Sequence, residues 1–278
     1  TVLRRLDKAD EALAVIDQAL QRSPDEAALH LQRATVLLSQ RQIEQANQAL
    51  AQSTTLDPNS FDSYVLQANL ALVRGDLDEA ERISRLAALL DAEHPQLAAI
   101  DGMVALHRND ADRALSLLST AAAAMPDDPR LSYGLGFAFR AKGHLAFAEQ
   151  SFRKMLESQP NALPIIGLVA DLCLRQGHVA EALEMIERML AAPAGDGVPV
   201  RLLAGEMLLH CGQPQRAAEQ AGLVQQQIPG ERRSLQVLLM AWERLGAAEQ
   251  ARSVLDGLLE GSDQIHSLWR ARLAVELG

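Results

Sequence analysis

The stretch RGDLDEAERISRLAALLD, residues 74–91, decides how the rest of the chain is read. Its glycine stands five residues ahead of an alanine. The same pair returns in KGHLAFAEQSFRKMLESQP (142–160), QGHVAEALEMIERMLAAP (176–193) and LGAAEQARSVLDGLLEGSD (245–263). Aligned on that alanine, the chain shows one column of Ala12, Ala46, Ala80, Ala114, Ala148, Ala182, Ala217 and Ala251, spaced by 34 residues with a single interval of 35.

Two further columns run in phase. Twelve residues after each alanine come Pro24, Pro58, Ala92, Pro126, Pro160, Ala194, Pro229 and Asp263, so most units end on a helix breaker. Five residues before it stand Asp7, Arg41, Gly75, Asn109, Gly143, Gly177, Gly212 and Gly246, a Gly/Asn-rich set suited to a left-handed C-cap between two helices. A small residue recurs twenty-four positions before the proline column, at Ala34, Ala68, Gly102, Gly136, Ala170 and Gly205, and lapses at Leu239. The unit is a helix, a tight turn, a second helix and a short linker. Neither helix can bury its apolar face alone, so neighbouring units must stack.

Composition agrees with an all-α fold: 48% of the 278 residues are hydrophobic, but only 3% are aromatic, and alanine and leucine dominate. A formal net charge of −10 argues against nucleic acid or an anionic membrane as partner, because both need a basic surface. No apolar run is long enough to span a bilayer. Cys173 and Cys211 match no metal or redox spacing and read as small buried hydrophobes in a reducing, cytoplasmic setting. The chain opens at Thr1 without methionine and is expected to be a fragment of a longer protein.

The columns resemble the tetratricopeptide repeat family, whose 34-residue motif carries small residues at positions 8 and 20 and proline at 32. The resemblance covers essentially the whole chain. It departs at motif position 4, where Tyr64, Ile166, Leu235 and Trp269 fit but His30, Ala98, Ser132 and Arg201 do not, which predicts looser packing in those units. The resemblance implies a right-handed α-solenoid of stacked antiparallel helix pairs, with about seven units and partial units at both ends. A single array over 1–278 is expected, with a partial first unit at 1–24 whose residues 1–6 end a truncated first helix. Five units at 25–194, two at 195–263 and a terminal or capping helix at 264–278 follow. AAPAGDGVPV, 191–200, is read as a longer loop between units rather than a linker between domains.

Catalytic constellations are hard to find. The seven histidines occur singly, without an HExxH pair, a cysteine cluster or a GxSxG elbow. GLGFAF, 134–139, lies inside a first helix with the repeat's own Gly136 in it, which argues against a phosphate loop. The acidic second helices, with DEA at 10–12, DEAE at 78–81, Glu181 and Glu184, read as solvated surface. No enzyme activity, cofactor or metal is expected within this chain.

Function then rests on the surface. In the resembled family first helices line a concave groove that holds a peptide, and matching motif positions here gives Asn69, Met103, His107, Tyr133, Phe137, Arg140, Asp171, Arg175, Glu206, Met240 and Arg244 as the partner-binding set. Some members grip a C-terminal carboxylate with Lys and Asn. Asn69 holds the Asn position, but Val65 stands where the Lys would be, so that clamp is not expected. The expected function is a protein-interaction scaffold that binds a peptide or protein segment. Alternatives are the recognition region of a larger bacterial enzyme of transferase or oxygenase type, with another domain of the parent chain as partner, and a self-association module forming a homodimer.

Overall fold

The computed structural model describes residues 2–259, with side chains from 8 to 254. Every regular element among them is a helix. In chain order these are α1 (Val2–Arg22), α2 (Ala27–Ser39), α3 (Ile43–Leu56), α4 (Phe61–Arg74), α5 (Leu77–Ala88), α6 (Pro95–His107), α7 (Ala111–Ala124) and α8 (Pro129–Ala141). They continue as α9 (Leu145–Ser158), α10 (Leu163–Arg175), α11 (Val179–Ala191), α12 (Val198–His210), α13 (Pro214–Gln227), α14 (Arg232–Arg244) and α15 (Ala248–Leu259). The chain divides into two compact units at Lys142–Gly143, so α1–α8 belong to one and α9–α15 to the other. Within each unit a helix packs on the next in sequence, and first helices also touch first helices, as α4 on α6 and α6 on α8. The terminal helix read at 264–278 lies outside the described residues. The Gly/Pro-rich loop falls inside the second unit, between α11 and α12.

The turn column has the backbone its composition calls for. Gly75, Gly143, Gly177, Gly212 and Gly246 have φ between 67° and 79°, and Arg41 and Asn109 adopt φ 61° at the equivalent positions. Glycine enters this region without steric penalty, whereas a side chain meets the following carbonyl. The column fails at Asp7. There α1 continues through as one helix from Val2 to Arg22.

Packing explains the small-residue columns. Ala46, Ala80, Ala114, Ala148, Ala182 and Ala217 are fully buried, as are Ala34, Ala68 and Ala170. A methyl group added at Gly102 would stand 2.8 Å from the Leu118 Cγ. The interface between α6 and α7 is therefore closed at the distance of a hydrogen atom. Gly195, in the longer loop, is similarly fixed, since a Cβ there would run into the Leu190 carbonyl oxygen.

The departures at motif position 4 are filled in different ways. Ser132 is buried. A His30 ring nitrogen lies 2.8 Å from the Pro24 carbonyl oxygen, and Arg201 donates to the Asp196 carbonyl at 3.0 Å and to the Gln220 side chain at 2.8 Å. At His30 and Arg201, hydrogen bonds to the preceding linker, and for Arg201 to the following helix α13, stand where an aromatic side chain would pack.

Polar side chains at the ends of first helices also reach back about thirty residues. Gln40 donates to Asp10, Arg108 to Asp78 and Glu81, and Lys142 to Asp112. Asp10, Asp78 and Glu81, read from the sequence as solvated surface, thus bridge successive helix-pair repeats. Each exposed link is weak because solvent screens it, but the ladder favours one register of stacking.

Candidate functional site

On α8, Tyr133, Phe137 and Arg140 follow at intervals of four and three residues, which places them on one face. The two rings stand 4.7 Å apart, tilted by 56°, and the Arg140 guanidinium carbon lies 5.8 Å from the centre of the Phe137 ring. These distances suit an aromatic pair extended by a cation–π contact. On α6, Met103, Leu106 and His107 share a face by the same spacing. The two faces meet across an open cleft of about 460 Å³, completed by Ala141 and, at the turn into α7, by Asn109 and Ala111. That volume lies in the range of ordinary ligand pockets.

Local sequence gives the cleft its shape. Asp128 caps α8 by accepting from the Arg130 backbone N–H at 2.9 Å, and Pro129 occupies the first helical turn. Gly134 sits beside Tyr133, where a side chain would meet the Met103 Sδ at 2.8 Å. Its absence lets Met103 lie against α8. Asn109 takes the left-handed turn that starts α7, and this directs it to the rim.

Five of the eleven residues picked from the sequence therefore come together: Met103, His107, Tyr133, Phe137 and Arg140. Asn69 does not join them. Its amide donates to the Val65 carbonyl at 2.9 Å and accepts from Arg130 at 3.4 Å. In the second unit Arg175 pairs with Asp171 at 2.8 Å, Glu206 pairs with Arg233 at 2.8 Å, and Arg244 donates to the Leu209 carbonyl. Met240 is half-buried there. Sequence reasoning missed Asn109, Ala111 and Ala141 as liners. The turn column marks Asn109, and Ala141 occupies the motif position that His107 holds one unit earlier.

The cleft's charge is simple. Its lining carries Arg140 and His107 but no carboxylate. Neighbouring cations are neutralised: Arg130 pairs with Asp128 at 2.6 Å, and Arg108 with Asp78 at 2.6 Å and Glu81 at 2.8 Å. Burial raises the Asp128 carboxyl, but hydrogen bonds from the Arg130 side chain and backbone outweigh it and hold that carboxyl below its usual range.

A second polar cluster lies within the later unit. Glu149, Cys173 and Glu181 bring their ligand atoms within 4.8 Å of one another. Arg153 stands among them, donating to Glu149 at 2.6 Å and to Glu181 at 2.7 Å, while Gln176 donates to Glu149 at 2.7 Å. Burial raises the Glu149 carboxyl, and the Arg153 and Gln176 hydrogen bonds more than reverse that. Burial and the Glu149 charge push the Cys173 thiol up to about 11, so it is not a thiolate nucleophile near neutral pH. The chemistry of this donor set is that of an ion-pair network centred on a guanidinium. Among the described residues no helix is long and apolar enough to cross a membrane.

Comparison with known proteins adds to this geometry. A family model described as "Tetratricopeptide repeat" matches residues 3–70 and 105–162. Over those residues the chain is similar to the tetratricopeptide repeat family. Solved structures of similar fold include the Cut9–Hcn1 hetero-tetramer of the APC/C, at 19% identity and a TM-score of 0.69 over 86% of this chain and 47% of that one. This chain thus spans about half the length of that relative. PilW, described as a widely conserved type IV pilus biogenesis factor, matches at 17% identity and a TM-score of 0.65 over 76% and 98% of the two chains. PilF of Pseudomonas aeruginosa matches at 19% identity and a TM-score of 0.61 over 78% and 97%. No curated protein matches the sequence. At these identities the likeness is one of fold, and the tetratricopeptide repeats supply the frame on which α6 and α8 present the cleft.

Proposed function

We propose that this chain is a non-catalytic protein-interaction scaffold that receives a linear segment of a partner between the first helices α6 and α8. The observation that carries the reading is the cleft itself. An apolar floor, a rigid aromatic pair and one flanking guanidinium form the composition that concentrates binding energy at protein interfaces. Tyr133 is 37% exposed despite its size, so the surface offered to a partner is apolar without further rearrangement.

The test is affinity capture with the whole chain beside the Tyr133→Ala/Phe137→Ala variant, followed by titration calorimetry with each captured protein once it is identified. Loss of an aromatic anchor of this type costs about 2 kcal/mol or more, or roughly thirtyfold in Kd. A variant that keeps the wild-type circular dichroism spectrum and binds every captured protein with unchanged affinity refutes the assignment of the cleft.

A further inference from the structure

We infer that the segment received by the cleft is internal to its parent protein and carries an acidic residue within about three positions of an aromatic or large aliphatic one. The apolar side chain seats among Met103, Tyr133 and Phe137, and the Asp or Glu carboxylate meets Arg140. The inference rests on the cleft reading above and specifies its ligand.

Charge is the first support. The protein carries a net charge of −10, yet the cleft is lined by a guanidinium and an imidazole and by no carboxylate. Arg108 and Lys142 at the ends of α6 and α8, and Arg130 on α8, each have an acidic partner at 2.6–2.8 Å. Arg140 has none among the described residues, and its described contact is the Phe137 ring. A guanidinium resting on a ring keeps its N–H edge for a planar acceptor, and a carboxylate fits that fork best. The net negative charge also disfavours polyanions, because nucleic acid would bring many phosphates to one compensating cation.

Geometry supplies the spacing. Phe137 and Tyr133 precede Arg140 by three and seven residues, or about 4.5 and 10 Å along a helix rising 1.5 Å per residue. An extended ligand advances about 3.3 Å per residue, so its carboxylate falls one to three residues from its apolar anchor. The internal position follows from donor number. Asn69, the amide on the first-helix face of α4, is taken up by Val65 and Arg130. Arg140 is then the one guanidinium lining the cleft, beside the His107 imidazole and the Asn109 amide, and a single fork of this kind suits a side-chain carboxylate on a continuing chain.

The experiment is a display selection of random twelve-residue peptides, held at both ends so that no free carboxyl terminus exists, against the purified whole chain and its Arg140→Glu and Tyr133→Ala/Phe137→Ala variants. A parallel library presents free carboxyl termini. Wild type is expected to enrich an aromatic or leucine with Asp or Glu one to three residues away. Blocked synthetic copies should lose at least tenfold in affinity when that acid becomes alanine, and Arg140→Glu should enrich Lys or Arg at the same spacing. Peptides that need Tyr133 and Phe137 but show no acidic preference and bind Arg140→Glu equally overturn the inference and leave the cleft reading standing. Enrichment restricted to the free-carboxyl library overturns the internal assignment. Peptides indifferent to both variants, or no enrichment at all, defeat the cleft reading and the inference with it.

Discussion

Replacing Gly102 with alanine tests whether the small-residue column records close helix approach or helix propensity. In an ordinary helix interior the change stabilises by about 0.5–1 kcal/mol, because glycine has more backbone freedom to lose. Here the new Cβ would lie 2.8 Å from the Leu118 Cγ, 2.9 Å from its Cδ2 and 3.2 Å from the Leu117 Cβ. Leu118 is fully buried and its Cδ1 methyl packs against α8 at Gly134, which restricts how far it can swing aside. Overpacking of this kind costs about 1–3 kcal/mol. The net effect expected is destabilisation by about 1 kcal/mol, or roughly 2–4 °C in Tm for a cooperative unit of this size. Gly222, inside α13 with nothing within 4 Å of its would-be Cβ, is the control. Gly222→Ala should stabilise by about 0.5–1 kcal/mol. Thermal and urea unfolding followed at 222 nm measure both. Leu118→Ala should cost less in the Gly102→Ala background than alone, because the added methyl fills part of the cavity. If both alanine variants raise the Tm equally, the contact across α6 and α7 does not govern this column.

At the turn column, Arg41→Gly should stabilise by about 1 kcal/mol because arginine occupies a left-handed conformation there at φ 61°, and Gly75→Ala should cost about the same; Tm shifts of opposite sign check the pair. Acid should weaken the fold. Glu79, Glu81, Asp128, Glu149 and Glu231 are all held below their ordinary values, so their contribution is present above the unfolded carboxylate range near 4.5 and is lost as pH falls through the lower folded values. Urea midpoints that stay constant from pH 6 to pH 3 contradict this, and Glu149→Gln should flatten the slope. Cys173, with its thiol pushed up to about 11 and its side chain buried, should resist iodoacetamide at pH 7.5 in the folded protein and react once urea unfolds it; labelling at equal rates in both states contradicts the burial.

Much of the candidate site was legible because a repeat converts position in the motif into position in space. Tyr133, Phe137 and Arg140 share a helix face by their spacing alone, and Met103 and His107 stand one period earlier. Asn69 obeyed the same rule and still fell outside the cleft, since a hydrogen bond to Arg130, sixty-one residues away, engages it. The same limit applies to Asp171, Arg175, Glu206 and Arg244, whose positions match the groove but whose charges are met by Asp–Arg, Arg–Glu and backbone contacts.

By itself the sequence determined the 34-residue period, the helix pairs and the left-handed turns, because each depends on a local property: the absence of a Cβ, the φ locked by proline, the apolar stripe of a helix. It also determined which residues could not be large. Only the tertiary structure decided which charges cancel one another, where the division between units falls and that Arg140 is left facing an open cleft while Arg108, Arg130 and Lys142 are paired. Arg130 finds its partner locally in Asp128, but the pairings of Arg108 and Lys142 depend on distances between side chains some thirty residues apart in sequence, and a shift of a few ångströms in how two helices meet, invisible to any local rule, changes the partner that each charge finds.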